Sequence, residues 1–373
     1  MGPITYSFEE LVAHKKSGKA PAAALEKLKS DANEILQKPT LKVVDIKLPR
    51  PSGNPHDYVS IAPYRWPNPD TPDGLPWIPR DGYVNPDTRT DIHPGGMYGR
   101  VHLLALAAFY FPEKANEYAD YANRQLYDWF LNPETYVTPH AKYSQALPGI
   151  CEGRSSGLIA YSLSYLLFNG IGIFEHLGLI DLEILKGVKA WFVKFVDWIL
   201  TSDNYGMQTD NGVGNHPSWL SANLIATAVF TNRPALVRNI ATTVYHRRIK
   251  AFIMPDGSQP EELKRATAVG YTFYSLHAMF VFSNIAERNG YPECWSVDAE
   301  RGECILKKAV DFIYPYVIDP ESCPYQELHK GKHKGRLAKA MLTVAKRYPD
   351  KEYEARALAI MPESEEWMLE PLL

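Results

Sequence analysis

Apolar positions recur at three- and four-residue spacing along most of this chain, and period-two alternation is nearly absent. The pattern is clearest over 181–202, where Ile184, Val188, Trp191, Phe192, Phe195, Trp198 and Ile199 make one stripe. Ser7-Phe8-Glu9-Glu10 is a capping box that predicts a first helix, and 21–37 reads as a second. A helical pair is predicted over 101–110 and 112–130. Further helices are predicted over 220–230, 235–253, 266–289, 304–316 and 335–347. Roughly ten to twelve helices joined by short loops place the chain in the all-α class. The apolar stretch 157–180 is interrupted by Ser162, Ser164, Asn169 and Glu175, so it predicts a buried helix and a turn rather than a membrane span.

One segment departs from this pattern. Residues 46–90 are rich in Pro, Gly, Asp and Asn, with Tyr58, Tyr64, Trp66, Trp77 and Tyr83 among them. So long a loop in a compact domain is functional or disordered, and the aromatic residues argue against disorder. There is no low-complexity tract and no internal sequence repeat. The 373 residues are within reach of one large helical barrel or toroid, so a single domain, 1–373, is expected.

Charge narrows the partners. The net charge of −3 gives no reason to expect nucleic acid or an anionic membrane, and a polyanionic ligand would need a local basic groove. Aromatic residues, at 12%, suit sugar stacking and plain cores equally. Cys151, Cys294, Cys304 and Cys323 lack metal-ligand spacing; Cys294 and Cys304 could pair in an oxidising compartment, but free or buried thiols are expected. The histidines are scattered, and neither metal nor cofactor is expected. The N-terminus has no basic stretch followed by an apolar one, so no signal peptide is read there.

Three clusters could carry chemistry. Asn215-His216 follows two glycines and precedes Pro217, Ser218 and Trp219 at the start of an apolar run. An amide and an imidazole at a helix N-terminus form a place where a carboxylate can be neutralised; the plainer alternative is a helix cap beside a surface histidine. Glu261-Glu262-Leu263-Lys264-Arg265 is followed by Tyr271 and Tyr274. Arg265 would favour a tyrosine phenolate if it precedes the helix rather than lying on it, or Tyr271 is simply a core residue. The segment from His140 through Lys142, Tyr143 and Gln145 to Arg154 gathers basic and amide groups in a non-helical stretch, as binding loops do. It could equally be a solvated connection. Motifs of serine hydrolases, zinc peptidases and nucleotide binders are absent.

Together these residues resemble the alginate-lyase-like superfamily of polysaccharide lyases, and polysaccharide lyase family 38 most of all. The resemblance rests on Ser52-Gly53, the run from His56 through Tyr64-Arg65-Trp66 to Pro67, Arg80-Asp81-Gly82 with Asn85-Pro86, Trp129 to Pro133, Tyr143-Ser144-Gln145, and Pro148-Gly149 through Gly153-Arg154. It continues with Asn215-His216 and with Gln259 to Arg265 and Tyr271. The resemblance implies an α/α toroid, an incomplete barrel of helical hairpins, with the Pro-rich segment as a lid. It implies β-elimination on a polyuronate without a metal, on glucuronan or mannuronate-rich alginate. Tyr271 would be base and acid, with Asn215, His216 and Arg265 serving the carboxylate and the tyrosine. Tyr64, Arg65, Trp66, His140, Lys142, Tyr143, Gln145, Arg154, Trp219 and Tyr274 would bind substrate. Arg65, Lys142, Pro217-Ser218 and Gly270 depart from the family's usual residues, which bears on the identity of the sugar. Two rival readings stay open: an inverting glycoside hydrolase, which needs two carboxyl groups about 6.5–9.5 Å apart, and an inactive polyuronate-binding protein.

Overall fold

The computed structural model describes residues 2–361 and 366–373. In chain order its α-helices are α1 (Phe8–Lys16), α2 (Ala22–Leu36), α3 (Pro94–Tyr110), α4 (Ala115–Phe130), α5 (Ser164–His176), α6 (Leu182–Thr201), α7 (Gln208–Asp210), α8 (Asn215–Phe230), α9 (Pro234–Val244), α10 (Pro260–Leu263), α11 (Ala268–Arg288), α12 (Ile305–Ile318), α13 (Lys334–Ala345) and α14 (Lys351–Ala359). The strands among the described residues are short: β1 (Val59–Ile61), β2 (Arg65–Trp66), β3 (Ile78–Pro79) and β4 (Tyr143–Ala146). The chain is all-α, as its periodicity predicts. Two compact units are formed, each from several chain segments. One holds Lys29–Gly212 and Phe230–Asn232 with the extreme N-terminus; the other holds Ile4–Leu28, Val213–Val229 and Arg233–Leu373.

In the first unit α3 packs along α5. Gly170 of α5 permits this, because a Cβ there would lie 2.9 Å from the Cα of His102. The stripe on α6 delivers Trp191, Phe192 and Phe195 to a core with Tyr161 and Phe168, and Phe168 stacks on Phe230 at 4.1 Å. Asp181 caps α6 by accepting from the N–H groups of Glu183 and Ile184. The apolar segment Ser155–His176 is long enough to cross a membrane by composition, yet 78% of its most apolar window is buried in this structure.

The 46–90 segment is more ordered than a plain loop. β1 pairs parallel with β4, and β2 pairs antiparallel with β3. Asn85 Nδ2 donates to the Arg65 carbonyl at 2.9 Å, and Trp66 Nε1 donates to the Tyr83 carbonyl at 3.0 Å. Strands of two or three residues are too short to leave an alternating pattern, which is why the sequence conceals them.

In the second unit α11 is buried along almost its whole length and packs with α9, α12 and α13. The capping box of α1 is present: Ser7 Oγ accepts from the Glu10 N–H at 3.1 Å and Glu10 accepts from the Ser7 N–H at 2.6 Å. The helix predicted over 235–253 is α9 followed by a π-helical turn, Tyr245–Lys250. That turn buries Arg248, whose Nε donates to the Pro217 carbonyl at 3.2 Å and to Ser221 Oγ at 3.1 Å, in the first two turns of α8. Sequence periodicity misses α14, which buries only Tyr353 and Ala357 and so has no stripe. All four cysteines are free; Cys294 and Cys304 are buried, and burial pushes the Cys294 thiol up to about 12.

Gly170→Val should force α3 and α5 apart and cost about 1–3 kcal/mol. Gly99→Ala, on α3 with open space around the new methyl, should be neutral or stabilising by about 0.5–1 kcal/mol. Thermal unfolding of the two variants checks the pair; equal Tm values would remove the close approach as the reason for the glycine.

Candidate active site

The second unit brings the Asn-His pair and the Arg-Tyr pair together. α8 opens at Asn215, directly after Gly214 at φ +78°. A Cβ on Gly214 would lie 2.6 Å from Glu262 Oε1, so both the backbone angle and the space require glycine. Asn215 Nδ2 donates to both oxygens of Glu262, at 3.2 and 2.9 Å. Glu262 lies in the four-residue α10 and is only 2% exposed. Burial pushes its carboxyl up to about 7, against the pull of the Asn215 hydrogen bonds and of the Arg265 charge. The sequence reading reserves the start of α8 for a substrate carboxylate. The chain's own carboxyl already lies there, where the free N–H groups of the helix favour it.

Arg265 precedes α11, so its six-residue separation from Tyr271 does not run along one helix. Its guanidinium carbon lies 3.7 Å from the centroid of the Tyr271 ring. The Tyr271 and Tyr274 rings are 6.3 Å apart and nearly perpendicular, and Tyr274 lies 5.1 Å from Trp219. Trp219 is four residues beyond Asn215 on α8, which closes a circuit: Asn215, Glu262, Arg265, Tyr271, Tyr274, Trp219. Trp219 itself is 2% exposed and stacks on His277 at 5.5 Å. It therefore supports the tyrosine side of the cluster. Burial, with Lys339 and Arg336 nearby, pushes His277 down to about 3, so its imidazole is neutral.

A distant carboxylate closes the first turn of α11. Glu327 accepts from the Gly270 N–H at 3.1 Å and the His329 N–H at 2.8 Å, and His333 Nε2 stands 3.4 Å away. Against the cost of burial, the His333 contact and these N–H groups hold its carboxyl below the usual range. The N-cap residue of α11, Thr267, contributes no side-chain bond.

The remaining site residues lie in the first unit. Gln145 adopts φ +53°, an unusual conformation for a residue with a side chain. Its N–H donates to Ser60 Oγ and its Oε1 accepts from Arg154 Nη2, both at 2.9 Å. Gly153 is forced by proximity, because a Cβ would fall 1.9 Å from the Lys142 carbonyl oxygen. Burial and the adjacent Arg65 both lower the pKa of Arg154, so two cations share a partly desolvated place. Tyr64, Arg65, Trp66 and Tyr143 are half-buried and Lys142 is exposed. His140 is engaged within the protein: its Nε2 lies 3.2 Å from the buried Asp57. A cavity of 470 Å³ in this unit is lined mainly by apolar residues such as Val59, Ile61 and Leu147, and of the expected site residues it includes only Tyr143. Among the described residues no group of three or more His, Cys, Asp or Glu could hold a metal ion.

Known proteins match this chain over different lengths. The alginate lyase family model matches residues 43–323. An alginate lyase of Cobetia marina is 31% identical over 137 residues, 36% of this chain and 34% of the relative. One of Pseudomonas fluorescens is 33% identical over 143 residues, 38% of this chain and 36% of the relative. The chain thus spans about a third of the length of the curated relatives it matches. A solved alginate lyase of Bacteroides ovatus is 30% identical with a TM-score of 0.91, covering 99% of this chain and 98% of that one. The alginate lyase of Sphingomonas species A1, at 17% identity and TM-score 0.52 over 90% of this chain and 91% of its own, shares the fold.

Glu262 makes stability depend on pH. Its folded pKa of about 7 stands above the ordinary 4.5, so between those values the folded state binds more protons. The stabilisation is complete at acid pH and is lost as pH rises through 7. The Tm of the wild type should therefore fall more between pH 5 and pH 8 than that of Glu262→Gln. Equal falls would contradict a raised carboxyl.

Proposed function

The chain belongs to the alginate lyase family, and from that membership we propose that it is a polysaccharide lyase cleaving a polyuronate by β-elimination. The observation that carries the reading is the Arg265 guanidinium over the Tyr271 ring, in the same cluster as Asn215-His216. The proton on C5 of a uronate is too weakly acidic to leave while the adjoining carboxylate keeps its full charge. In this reading Asn215 and His216 draw that charge towards themselves, and such preorganised donors are each worth roughly 3–4 kcal/mol. Tyr271, with the Arg265 guanidinium over its ring, takes the C5 proton. The C5 electron pair becomes the C4–C5 double bond, the C4–O4 bond breaks, and O4 leaves with a proton returned by Tyr271. Tyr274 has Trp219 against its ring, and the Arg265 guanidinium over the Tyr271 ring supports Tyr271 as the base.

Glu262 adds a component that the sequence reading did not assign. A carboxyl titrating near neutrality can bind a proton when a second carboxylate approaches, so the pocket need not hold two like charges. By holding Asn215 it also fixes the amide plane that meets the uronate. In the other unit we assign Tyr64, Arg65, Trp66, Lys142, Tyr143, Gln145 and Arg154 to substrate binding. The partly desolvated Arg65 and Arg154, with the strained Gln145, suit a carboxylate ligand. His140 helps to shape this segment through Asp57.

Mannuronate and glucuronate share their configuration at C4 and C5, and one tyrosine acting on one face suits the syn elimination both require. Because the similar proteins are alginate lyases, mannuronate-rich alginate moves ahead of glucuronan as the substrate.

Products should carry a 4,5-unsaturated uronate, followed by ultraviolet absorbance on a panel of polyuronates; saturated products would instead indicate hydrolysis. Chelators should leave the rate unchanged, because side chains neutralise the carboxylate in this mechanism. Tyr271→Phe should lower kcat by at least ~10²-fold with substrate binding kept, and Asn215→Ala and His216→Ala should each lower it about 10²–10³-fold. Near-normal turnover in Tyr271→Phe with an inactive Tyr274→Phe would move the base one helical turn.

A further inference from the structure

Positive charge is concentrated beyond the residues assigned so far. Between Leu328 and Ala340 the chain carries Lys330, Lys332, Lys334, Arg336 and Lys339 and no acid, in a protein of net charge −3. Lys330 pairs with Glu321 at 2.9 Å. Lys332, Lys334 and Arg336 are exposed and have no carboxylate partner among the described residues. Lys334 and Arg336 occupy the first turn of α13, where the helix dipole disfavours cations. Their placement therefore works against the stability of that helix, and an anion beside them would relieve both the dipole and their mutual repulsion.

The loop is anchored where the proposed chemistry happens. Glu327 bridges Thr267, the Ala268 N–H donates to the Gln326 carbonyl at 3.0 Å, and the Leu328 N–H donates to the Ala266 carbonyl at 3.2 Å. These bonds tie the base of the loop to the segment leading into α11, whose first turn carries Tyr271. At the other end Arg336 Nη1 lies 3.5 Å from the carbonyl of Gly270, the residue before Tyr271. Arg336 and Lys339 also stand close enough to His277 to disfavour its protonation. The basic strip thus begins at the tyrosine cluster and runs outward through exposed lysines.

We propose that the loop and helical turn from Lys332 to Arg336 form an outer binding surface for a linear polyanion, holding carboxylates of the polyuronate beyond the sugars at the cleaved bond. This rests on the lyase reading and adds a dependence on chain length: a short oligosaccharide reaches Arg336 at most, and a long chain also engages Lys332 and Lys334.

The test is the double variant Lys332→Glu/Lys334→Glu beside a charge-matched control, Lys186→Glu/Lys194→Glu, at exposed positions of α6. Each is assayed on long polyuronate and on trisaccharides, and titrated with long polyuronate for binding. The ratio of kcat/KM on long chains to that on trisaccharides should fall roughly three- to tenfold in the loop variant but not in the control. The difference should fade towards 1 M salt, where the screening length is about 3 Å. Lys332→Ala/Lys334→Ala should show the same trend more weakly, with Tm at or slightly above the wild-type value because a cation leaves the helix N-terminus. A wild type that cleaves polyuronate, together with a loop variant whose ratio and binding match the control, overturns this inference alone. A wild type that binds polyuronate without cleaving it overturns the lyase reading, and the binding titrations still decide the role of the loop.

Discussion

A carboxyl group buried at the open end of a helix organises the centre of the second unit. Glu262 accepts from Asn215, the first residue of α8. A buried charge without partners costs several kcal/mol, so its surroundings are constrained. Gly214 must lack a side chain to make room for it, and Asn215 must turn its amide nitrogen towards it. Arg265 follows three residues later and reaches Tyr271. Arg248, from the π-helical turn, grips the Pro217 carbonyl and Ser221 beside it. The start of α8 is therefore held by a carboxyl and by a guanidinium, and the Asn-His pair is presented from a fixed support.

The same device occurs twice. The first turn of α11, which bears Tyr271, is closed by Glu327, a carboxylate 57 residues away from the Gly270 N–H it accepts. Neither helix is capped mainly by its own neighbours. Each is pinned by an acid brought from another part of the chain, so the two helices that present the proposed reactive groups depend on tertiary structure for their ends. Preorganised donors are useful only when they do not reorganise during the reaction, and long-range caps supply that stiffness.

Much of this was legible in the sequence. The stripe on α6, the box opening α1 and the apolar length of α11 are local signals, and the helices follow them. The convergence of Arg265 on Tyr271 could be foreseen conditionally, because it needs only a turn between them. What escaped detection lay in long-range contacts. The Glu262–Asn215 bond joins residues 47 apart in the chain, and nothing in Glu261-Glu262 distinguishes the buried acid from the exposed one. A single tryptophan gives no sign in the sequence of which way it faces, and the 2% exposure of Trp219 was not legible there. β1 to β4 were too short for any periodicity. The basic run after Leu328 was visible as composition, but its anchoring to Thr267 was not.

The free cysteines give this molecule an experimental handle. Cys294 and Cys304 are buried, and the Cys294 thiol is held far from its reactive thiolate form. Cys151 and Cys323 are partly accessible, and one belongs to each compact unit. Maleimide dyes would therefore react first at one position in each unit, without engineered cysteines. A donor–acceptor pair placed there would form a spectroscopic ruler between Cys151 and Cys323 in solution.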